Sequence, residues 1–317
     1  MRIFITGAGL IGCHSASELV LRGHSVWLYD LNPDGKYIAD IAGSKGIKVM
    51  RSDLLDLPAI LRAMKEIKPG VVVHTAGFIG SQVESPPYRG VQTNILGSAN
   101  VFEASQISGV KRVVHVSTFG VYDWDNIHRG PVKESFPRWG KRFYPATKVA
   151  NELLLGAYQG YYGFETVVIR PSGVYGPGHY RGGSSGGKNM NDLMRACLGV
   201  GPVVLSERRI GNNDFVYARD VGRGVALACG AKGAAGKAFN IGTGEIYGPQ
   251  DFLRALRRLL PRREIRIARD AGKRGGKARI RLDLSQSRRL LGYAPKFPLE
   301  KGLKDYISQS RKMGFWG

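Results

Sequence analysis

The sequence has few acidic residues relative to basic ones. Only 25 Asp and Glu residues stand against 47 Lys and Arg residues, which gives a formal net charge of +22. From Arg254 to Arg281 there are twelve Lys or Arg residues and only two acids. Such an excess can reflect acidic substrates, an acidic partner, non-specific nucleic-acid contact or a solvated surface, and we favour the last. No nucleic-acid-binding motif accompanies the charge, so specific nucleic-acid binding is not expected.

Cysteines and long apolar runs are also scarce. The three cysteines, Cys13, Cys197 and Cys229, show neither a pairing pattern nor zinc-ligand spacing, so we expect free thiols and no metal site. No apolar run approaches the ~20 residues of a membrane span. The apolar start, Met1 to Leu10, lacks the basic region and cleavage site of a signal peptide. These features predict a cytoplasmic location. A chain of 317 residues can hold one large domain or two unequal ones.

The first thirty residues follow the order strand, glycine turn, helix, strand and acid. The turn reads Gly7-Ala8-Gly9-Leu10-Ile11-Gly12, and the second strand ends at Asp30. In this order the glycines let the backbone approach a pyrophosphate at a helix N-terminus. Asp30 would accept hydrogen bonds from the adenosine ribose and repel a 2′-phosphate, so NAD is predicted rather than NADP. The predicted cofactor contacts here are Gly7, Gly9, Leu10, Ile11, Gly12 and Asp30.

Apolar strands continue to alternate with helices as far as residue 171. Strands are predicted at Ile47–Met50, Val71–His74, Arg112–Thr118 and Thr166–Pro171, with a long helix over Val91–Ser108. This alternation predicts an α/β fold with a Rossmann-type, doubly wound parallel sheet. We expect residues 1–170 to bind NAD, with segments near 214–245 returning to that domain. Residues 171–317 are expected to form a smaller, mainly substrate-binding α/β portion.

A Tyr-x-x-x-Lys pair, Tyr144 and Lys148, begins a helical stretch. Residues four apart on a helix lie on one face. A free tyrosine has a pKa of about 10, and a nearby cation lowers it. A tyrosine tuned in this way can move a proton to or from an alcohol or carbonyl oxygen. His74 and His115 lie inside apolar strands, and we expect them to be packing residues rather than catalytic ones.

Several further motifs appear in a characteristic order: Asp53-Leu54, His74 to Gly77, Asn94, Ser117 to Tyr122, and Arg170 to Gly178. With the glycine turn and the Tyr/Lys pair, they make the chain resemble the extended short-chain dehydrogenase/reductase family, the NAD-dependent epimerase/dehydratase group. The resemblance covers essentially the whole chain.

The resemblance implies roles for individual residues. Tyr144 would be the general acid/base. Lys148 would lower its pKa and bind the nicotinamide ribose, and Thr118 would hydrogen-bond the reacting oxygen. A homodimer through the helices of Asn94 and Tyr144 is also implied. The further implied cofactor contacts are Asp53, Leu54, Thr75, Ala76, Gly77, Asn94, Tyr144, Lys148 and Pro171.

The chain departs from the family pattern at positions that concern the substrate. Dehydratases of the group carry an Asp-Glu pair where this chain has Phe119 and Gly120, which argues against a 4,6-dehydratase. Nucleotide-sugar members usually have Asn at the position of Gly173 and often Arg at that of Asn213. Their Arg-x-Gly-Asp element is replaced by Arg274-Gly275-Gly276-Lys277. These changes weaken a nucleotide-sugar interpretation but leave it open, since the basic loop offers substitute cations.

Three hypotheses follow. The first is an NAD-dependent oxidoreductase that transfers hydride between NAD and a small, possibly anionic, hydroxyl or carbonyl compound such as a sugar, sugar acid or polyol. The alternative is a nucleotide-sugar epimerase with tightly bound NAD. The third is a non-catalytic NAD-sensing or nucleic-acid-associated protein, against which the complete set of catalytic residues argues. The predicted substrate contacts are Ser81, Thr118, Arg181 and Asn213.

Overall fold

A computed structural model of the protein describes residues 1–178, 185–268 and 280–314. Most of the chain forms strands and helices in alternation. The strands are β1 (Arg2–Thr6), β2 (Ser25–Asp30), β3 (Ile47–Arg51), β4 (Val71–His74), β5 (Arg112–Val116), β6 (Glu165–Pro171), β7 (Gly173–Tyr175), β8 (Val203–Ser206), β9 (Phe215–Tyr217), β10 (Lys237–Ile241) and β11 (Ile265–Ala268).

The helices cover both faces of the main sheet and build the C-terminal portion. They are α1 (Leu10–Leu21), α2 (Gly35–Ala42), α3 (Leu57–Ile67), α4 (Ser81–Glu84), α5 (Pro87–Val91), α6 (Gly97–Ile107), α7 (Phe143–Tyr162), α8 (Ser185–Leu198), α9 (Glu207–Ile210), α10 (Ala218–Gly230), α11 (Pro249–Leu259) and α12 (Leu299–Met313).

The main sheet has seven parallel strands in the order β10-β6-β5-β4-β1-β2-β3. Both faces are buried, because Ile3 and Ile5 enter one apolar core while Phe4, between them, enters another. This arrangement explains why the strands read as continuous apolar runs, and it confirms the predicted doubly wound α/β fold. The order turns back between β1 and β4, and ligands of such sheets bind beyond the carboxyl ends of the strands at this point.

A third apolar core lies in the C-terminal portion, where Met194, Phe252 and Leu303 are buried together. Two small parallel sheets, β7 with β9 and β8 with β11, accompany it. The sequence did not reveal these short strands. β10 returns to the main sheet beside β6.

Two predicted elements near the carboxyl edge of the sheet differ in detail from the structure. β5 ends at Val116 rather than Thr118, and a short 3₁₀ turn, Phe119–Val121, follows. The helix predicted over 91–108 is interrupted by a π-helical turn at Gln92–Leu96. Such turns recur at functional sites because they re-aim side chains within a helix. This one contains Asn94.

The three cysteines are buried. Burial raises the pKa of the Cys197 and Cys229 thiols to about 12. It also raises the pKa of the Cys13 thiol. In the part of the chain that the structure describes, no helix combines the length and apolar character needed to cross a membrane.

Candidate active site

The glycine turn between β1 and α1 has the shape that a pyrophosphate requires. A Cβ on Gly7, whose φ is +90°, would lie 2.6 Å from Thr75 Oγ1, and one on Gly12 would lie 1.8 Å from the Gly7 carbonyl oxygen. Gly9, by contrast, has no described atom within 4 Å of its Cβ position. Gly9 also gives α1 no side-chain cap, so no side chain of that residue competes with an anion for the N–H groups of the first helical turn.

Asp30 holds the glycine turn in place from the end of β2. Its Oδ2 accepts a hydrogen bond of 2.7 Å from Ala8 N, and its Oδ1 accepts one of 2.8 Å from Asn32 N. Each carboxylate oxygen has a second lone pair, so ribose hydroxyls can bind without breaking these contacts. The turn and Asp30 together therefore fit the adenosine half of NAD.

The other predicted cofactor residues lie along the same edge or shape it. Asp53 Oδ1 accepts from Leu55 N at 3.0 Å, and the buried Leu54 packs on Gly97 of α6. Leu10 is buried and Ile11 is partly buried at the start of α1. Pro171 closes β6 opposite Ile241 of β10.

Asn94 fixes the backbone that follows β4. Its Oδ1 accepts a 2.6 Å hydrogen bond from Phe78 N, and its Nδ2 donates to Phe78 O at 3.0 Å. Thr75 Oγ1 donates to the Thr6 carbonyl at 2.7 Å. The segment Thr75–Phe78 is thus held against β1, where the resemblance predicted cofactor contacts at Thr75, Ala76 and Gly77. Asn94 contacts protein backbone and orients this segment.

The three predicted catalytic residues meet beyond β5. Thr118 is buried, and its Oγ1 accepts from Gly120 N at 3.0 Å. Tyr144 lies in the first turn of α7 and is hydrogen-bonded to Thr118. Lys148, one turn further, is buried and donates from Nζ to the Val116 carbonyl at 2.8 Å. The structure therefore brings together the Thr, Tyr and Lys that the sequence singled out.

The electrostatics of this group differ from the expectation. Burial raises the pKa of Tyr144 to about 12, although the Thr118 hydrogen bond acts in the opposite direction. Lys148 was expected to lower that pKa. Its ammonium is instead hydrogen-bonded to Val116, and burial lowers the pKa of Lys148 itself to about 8, against the attraction of Glu152. With this pKa, the Tyr144 side chain is a protonated phenol at neutral pH.

The positions of the dehydratase acids contain no carboxylate. The Phe119 ring packs edge-on against Trp124 with 5.7 Å between centroids, and Trp124 Nε1 donates to the Phe119 carbonyl at 2.9 Å. Gly120 lies beside Thr118. The site can thus move a proton through Tyr144, but it lacks the acids expected for eliminating water.

Of the other predicted substrate contacts, Ser81 and Asn213 differ in their surroundings. Ser81 is exposed at the start of α4. The Asn213 amide lies against Gly173, with Nδ2 2.4 Å from the position of a Cβ there. Its Oδ1 is buried and has no partner among the residues described. The amide therefore fills the space that the usual Asn side chain at position 173 would need. Arg181 and the Arg274–Lys277 loop lie outside the described residues.

Sequence reasoning missed Glu84, which reaches the start of α7. Its Oε1 accepts from Tyr144 N at 3.4 Å and lies 3.5 Å from Arg142 Nε. An acid at a helix N-terminus is favourable because it faces free N–H groups and the positive end of the helix dipole. Nothing in the local sequence connects Glu84 to a helix sixty residues later.

Comparison with known proteins agrees with this geometry. The model of the NAD dependent epimerase/dehydratase family matches residues 3–242. The chain belongs to this family. UDP-glucose 4-epimerase from Mycolicibacterium smegmatis is 28% identical over 309 residues, which cover 96% of each chain.

Solved structures of the family extend over nearly the whole chain. UDP-glucose 4-epimerase from Thermus thermophilus, in complex with NAD, is 29% identical with a TM-score of 0.81, covering 98% of this chain and 99% of that one. dTDP-glucose 4,6-dehydratase from Streptomyces venezuelae, with NAD bound, is 26% identical with a TM-score of 0.82, covering 100% and 99%. The protein is therefore an enzyme of the extended short-chain dehydrogenase/reductase type with NAD as cofactor.

Proposed function

We propose that the protein is a nucleotide-sugar epimerase that oxidises and re-reduces one carbinol carbon of its substrate. The observation that carries the proposal is the Thr118, Tyr144 and Lys148 group beside two positions without acids. This favours hydride transfer over elimination. Full-length similarity to UDP-glucose 4-epimerases supports a nucleotide sugar as substrate. Its diphosphate is anionic, in keeping with the net charge of +22.

Each residue of the site would have a separate role in the proposed reaction. When bound, NAD supplies the hydride acceptor, and the glycine turn with Asp30 would hold its adenosine half. Thr118 would hydrogen-bond the reacting oxygen while Tyr144, as phenolate, takes the hydroxyl proton. In the return step Tyr144 gives that proton back to the oxygen of the sugar ketone. Lys148, whose ammonium is held at the Val116 carbonyl, would bind the nicotinamide ribose.

A second candidate is a dehydrogenase for a small sugar, sugar acid or polyol. It is favoured by Gly173 and Asn213, because the Asn213 amide occupies the space that a side chain at position 173 would use in nucleotide-sugar enzymes. In that case reduced cofactor would leave after each turnover.

One experiment separates the candidates. The protein is purified without added nucleotide and denatured, and released NAD(H) is counted per chain. UDP-glucose and UDP-galactose are then assayed for interconversion. Near-stoichiometric NAD with interconversion supports the epimerase. Little NAD, with NADH formed from sugars, sugar acids or polyols, supports the dehydrogenase, and no turnover of either class contradicts both.

Tyr144→Phe tests the proposed general acid/base. Turnover should fall by roughly 10²–10⁴, the usual contribution of such a group, while folding is retained. Tyr161→Phe, at the exposed end of the same helix, is the matched control and should remain active. Equal activity of the two variants would rule out the assigned role of Tyr144.

We propose further that the protein is a cytoplasmic homodimer paired through the α6 and α7 region. Leu96, Ile107 and Leu153 are exposed there, and apolar exposure on adjoining helices favours an isologous interface. Leu153→Glu should convert dimer to monomer in light scattering, whereas a wild-type monomer would contradict the interface.

Residues 1–170 with 214–245 would hold NAD, and 171–317 would mainly hold the substrate.

A further inference from the structure

A buried row of polar side chains connects the glycine turn to the helices around the catalytic group. Thr6 is the last residue of β1, immediately before Gly7, and His74 is the last residue of β4. Thr6 Oγ1 lies 2.6 Å from His74 Nδ1, and His74 Nε2 lies 2.8 Å from Ser98 Oγ on α6. All three side chains are buried. Loss of either hydrogen bond would therefore leave a buried polar group without a partner, which lowers stability.

The hydrogen bonds fix the protonation of the imidazole. Ser98 Oγ donates to the Asn94 carbonyl at 2.5 Å, so its single proton is used and it must accept from His74. His74 is therefore protonated on Nε2, and Nδ1 accepts the Thr6 hydroxyl proton. The other neutral tautomer would leave the Thr6 hydroxyl without an acceptor among the described residues. Burial lowers the pKa of His74 to about 3, which keeps the ring neutral.

The row continues from Ser98 to the backbone of Tyr144. The Asn94 carbonyl also accepts from Asn151 Nδ2 on α7 at 2.8 Å. Asn94 Nδ2 donates to Thr147 Oγ1 at 3.2 Å, and Thr147 Oγ1 donates to the Tyr144 carbonyl at 2.8 Å. The π-helical turn around Asn94 allows its carbonyl and its amide to serve these partners together with Phe78.

We infer that His74 is a positioning residue that sets the cofactor turn at a fixed distance from the Tyr144 helix through its Nε2–H tautomer. This role goes beyond the packing role expected from the sequence. It concerns the NAD site alone, so it does not depend on which substrate the enzyme takes.

His115 provides an internal contrast. Its ring stacks on that of His74 with 5.3 Å between centroids, and both residues are fully buried. Neither nitrogen of His115 has a hydrogen-bond partner in the described part of the chain. His115 is therefore as buried as His74 but lacks its side-chain hydrogen bonds among the described residues, which makes it the matched control.

The test measures NAD affinity and the imidazole itself. In the wild-type protein, ¹⁵N NMR of labelled histidine should show His74 as a neutral Nε2–H ring from pH 5 to 8. His74→Phe should raise the Kd for NAD about tenfold, whereas His115→Phe should change it less than about twofold. Urea unfolding of each variant confirms that it is folded under the binding conditions.

Two more conservative substitutions test the hydrogen bonds to Thr6 and to Ser98 separately. They also keep the test informative if His74→Phe fails to fold. His74→Asn retains an acceptor near Nδ1 for Thr6, and His74→Gln retains a donor near Nε2 for Ser98. Asn should preserve NAD affinity better than Gln, because Thr6 adjoins the turn. An Nδ1–H ring, unchanged NAD affinity in the His74 variants, or an equal loss in His115→Phe would overturn the inference.

Discussion

The buried histidines make the protein sensitive to mild acid. Burial lowers the pKa of His14 and His74 to about 3, against about 6.5 for an unfolded chain. Between pH 6.5 and pH 3 the unfolded state therefore binds more protons than the folded state. Their contribution to stability is fully present above pH 6.5 and is lost as the pH falls through this window.

The size of the effect follows from the difference in pKa. A pH of 5 is about 1.5 units below the pKa of an imidazole in the unfolded chain, which corresponds to roughly 2 kcal/mol per histidine at about 1.36 kcal/mol per unit. His14 and His74 together should cost about 4 kcal/mol between pH 7 and pH 5. His115, whose pKa burial also lowers well below its usual value, should add to this loss. This is a large share of the 5–15 kcal/mol that typically stabilises a protein.

Urea unfolding at constant ionic strength, at pH 7, 6 and 5, measures this loss. His14 Nε2 has no partner in the described part of the chain, so His14→Leu removes the titration without breaking a hydrogen bond of that nitrogen. The variant should lose about 2 kcal/mol less than wild type over the same range. His128→Gln, at an exposed position, is the control and should follow wild type. Parallel curves for wild type and His14→Leu would refute the argument.

Two further predictions concern the glycine turn and a buried ion pair. Gly12→Ala places a Cβ against the Gly7 carbonyl. Because overpacking of this kind costs about 1–3 kcal/mol, NAD binding measured by calorimetry should weaken by about tenfold or more. The control is Gly35→Ala, where the added Cβ meets open space, and this variant should bind NAD normally. Glu152→Gln should lower the free energy of unfolding by about 3–5 kcal/mol, because Glu152 is buried and paired with Arg170 at 2.7 Å. The exposed pair of Lys141 and Asp125 should contribute far less than the buried pair, and a similar loss in Lys141→Ala would contradict this distinction.

Much of the fold and the candidate site could be predicted from sequence because their signals are local. The glycine turn, the acid after β2 and the Tyr144/Lys148 spacing each lie within a few residues. Strands buried on both faces are continuously apolar, which indicated the parallel sheet.

Features that depend on distant contacts could not be predicted. The pKa of Tyr144 is raised rather than lowered, because its burial arises only once α7 packs over the end of β5. The contact of Asn213 with Gly173 joins residues forty positions apart. The partners of His74 come from β1 and α6, so an apolar sequence context concealed its polar role.

The buried thiols make the chain a convenient subject for optical measurements. A thiol with a raised pKa is almost entirely protonated at neutral pH, and only the thiolate reacts with maleimides. Wild-type protein should therefore remain unlabelled, and cysteines introduced at exposed Lys65 of α3 and at Val200 after α8 could carry a pair of dyes without removing any native cysteine. Energy transfer between the dyes would then report directly whether the two portions of the molecule approach each other when NAD is added.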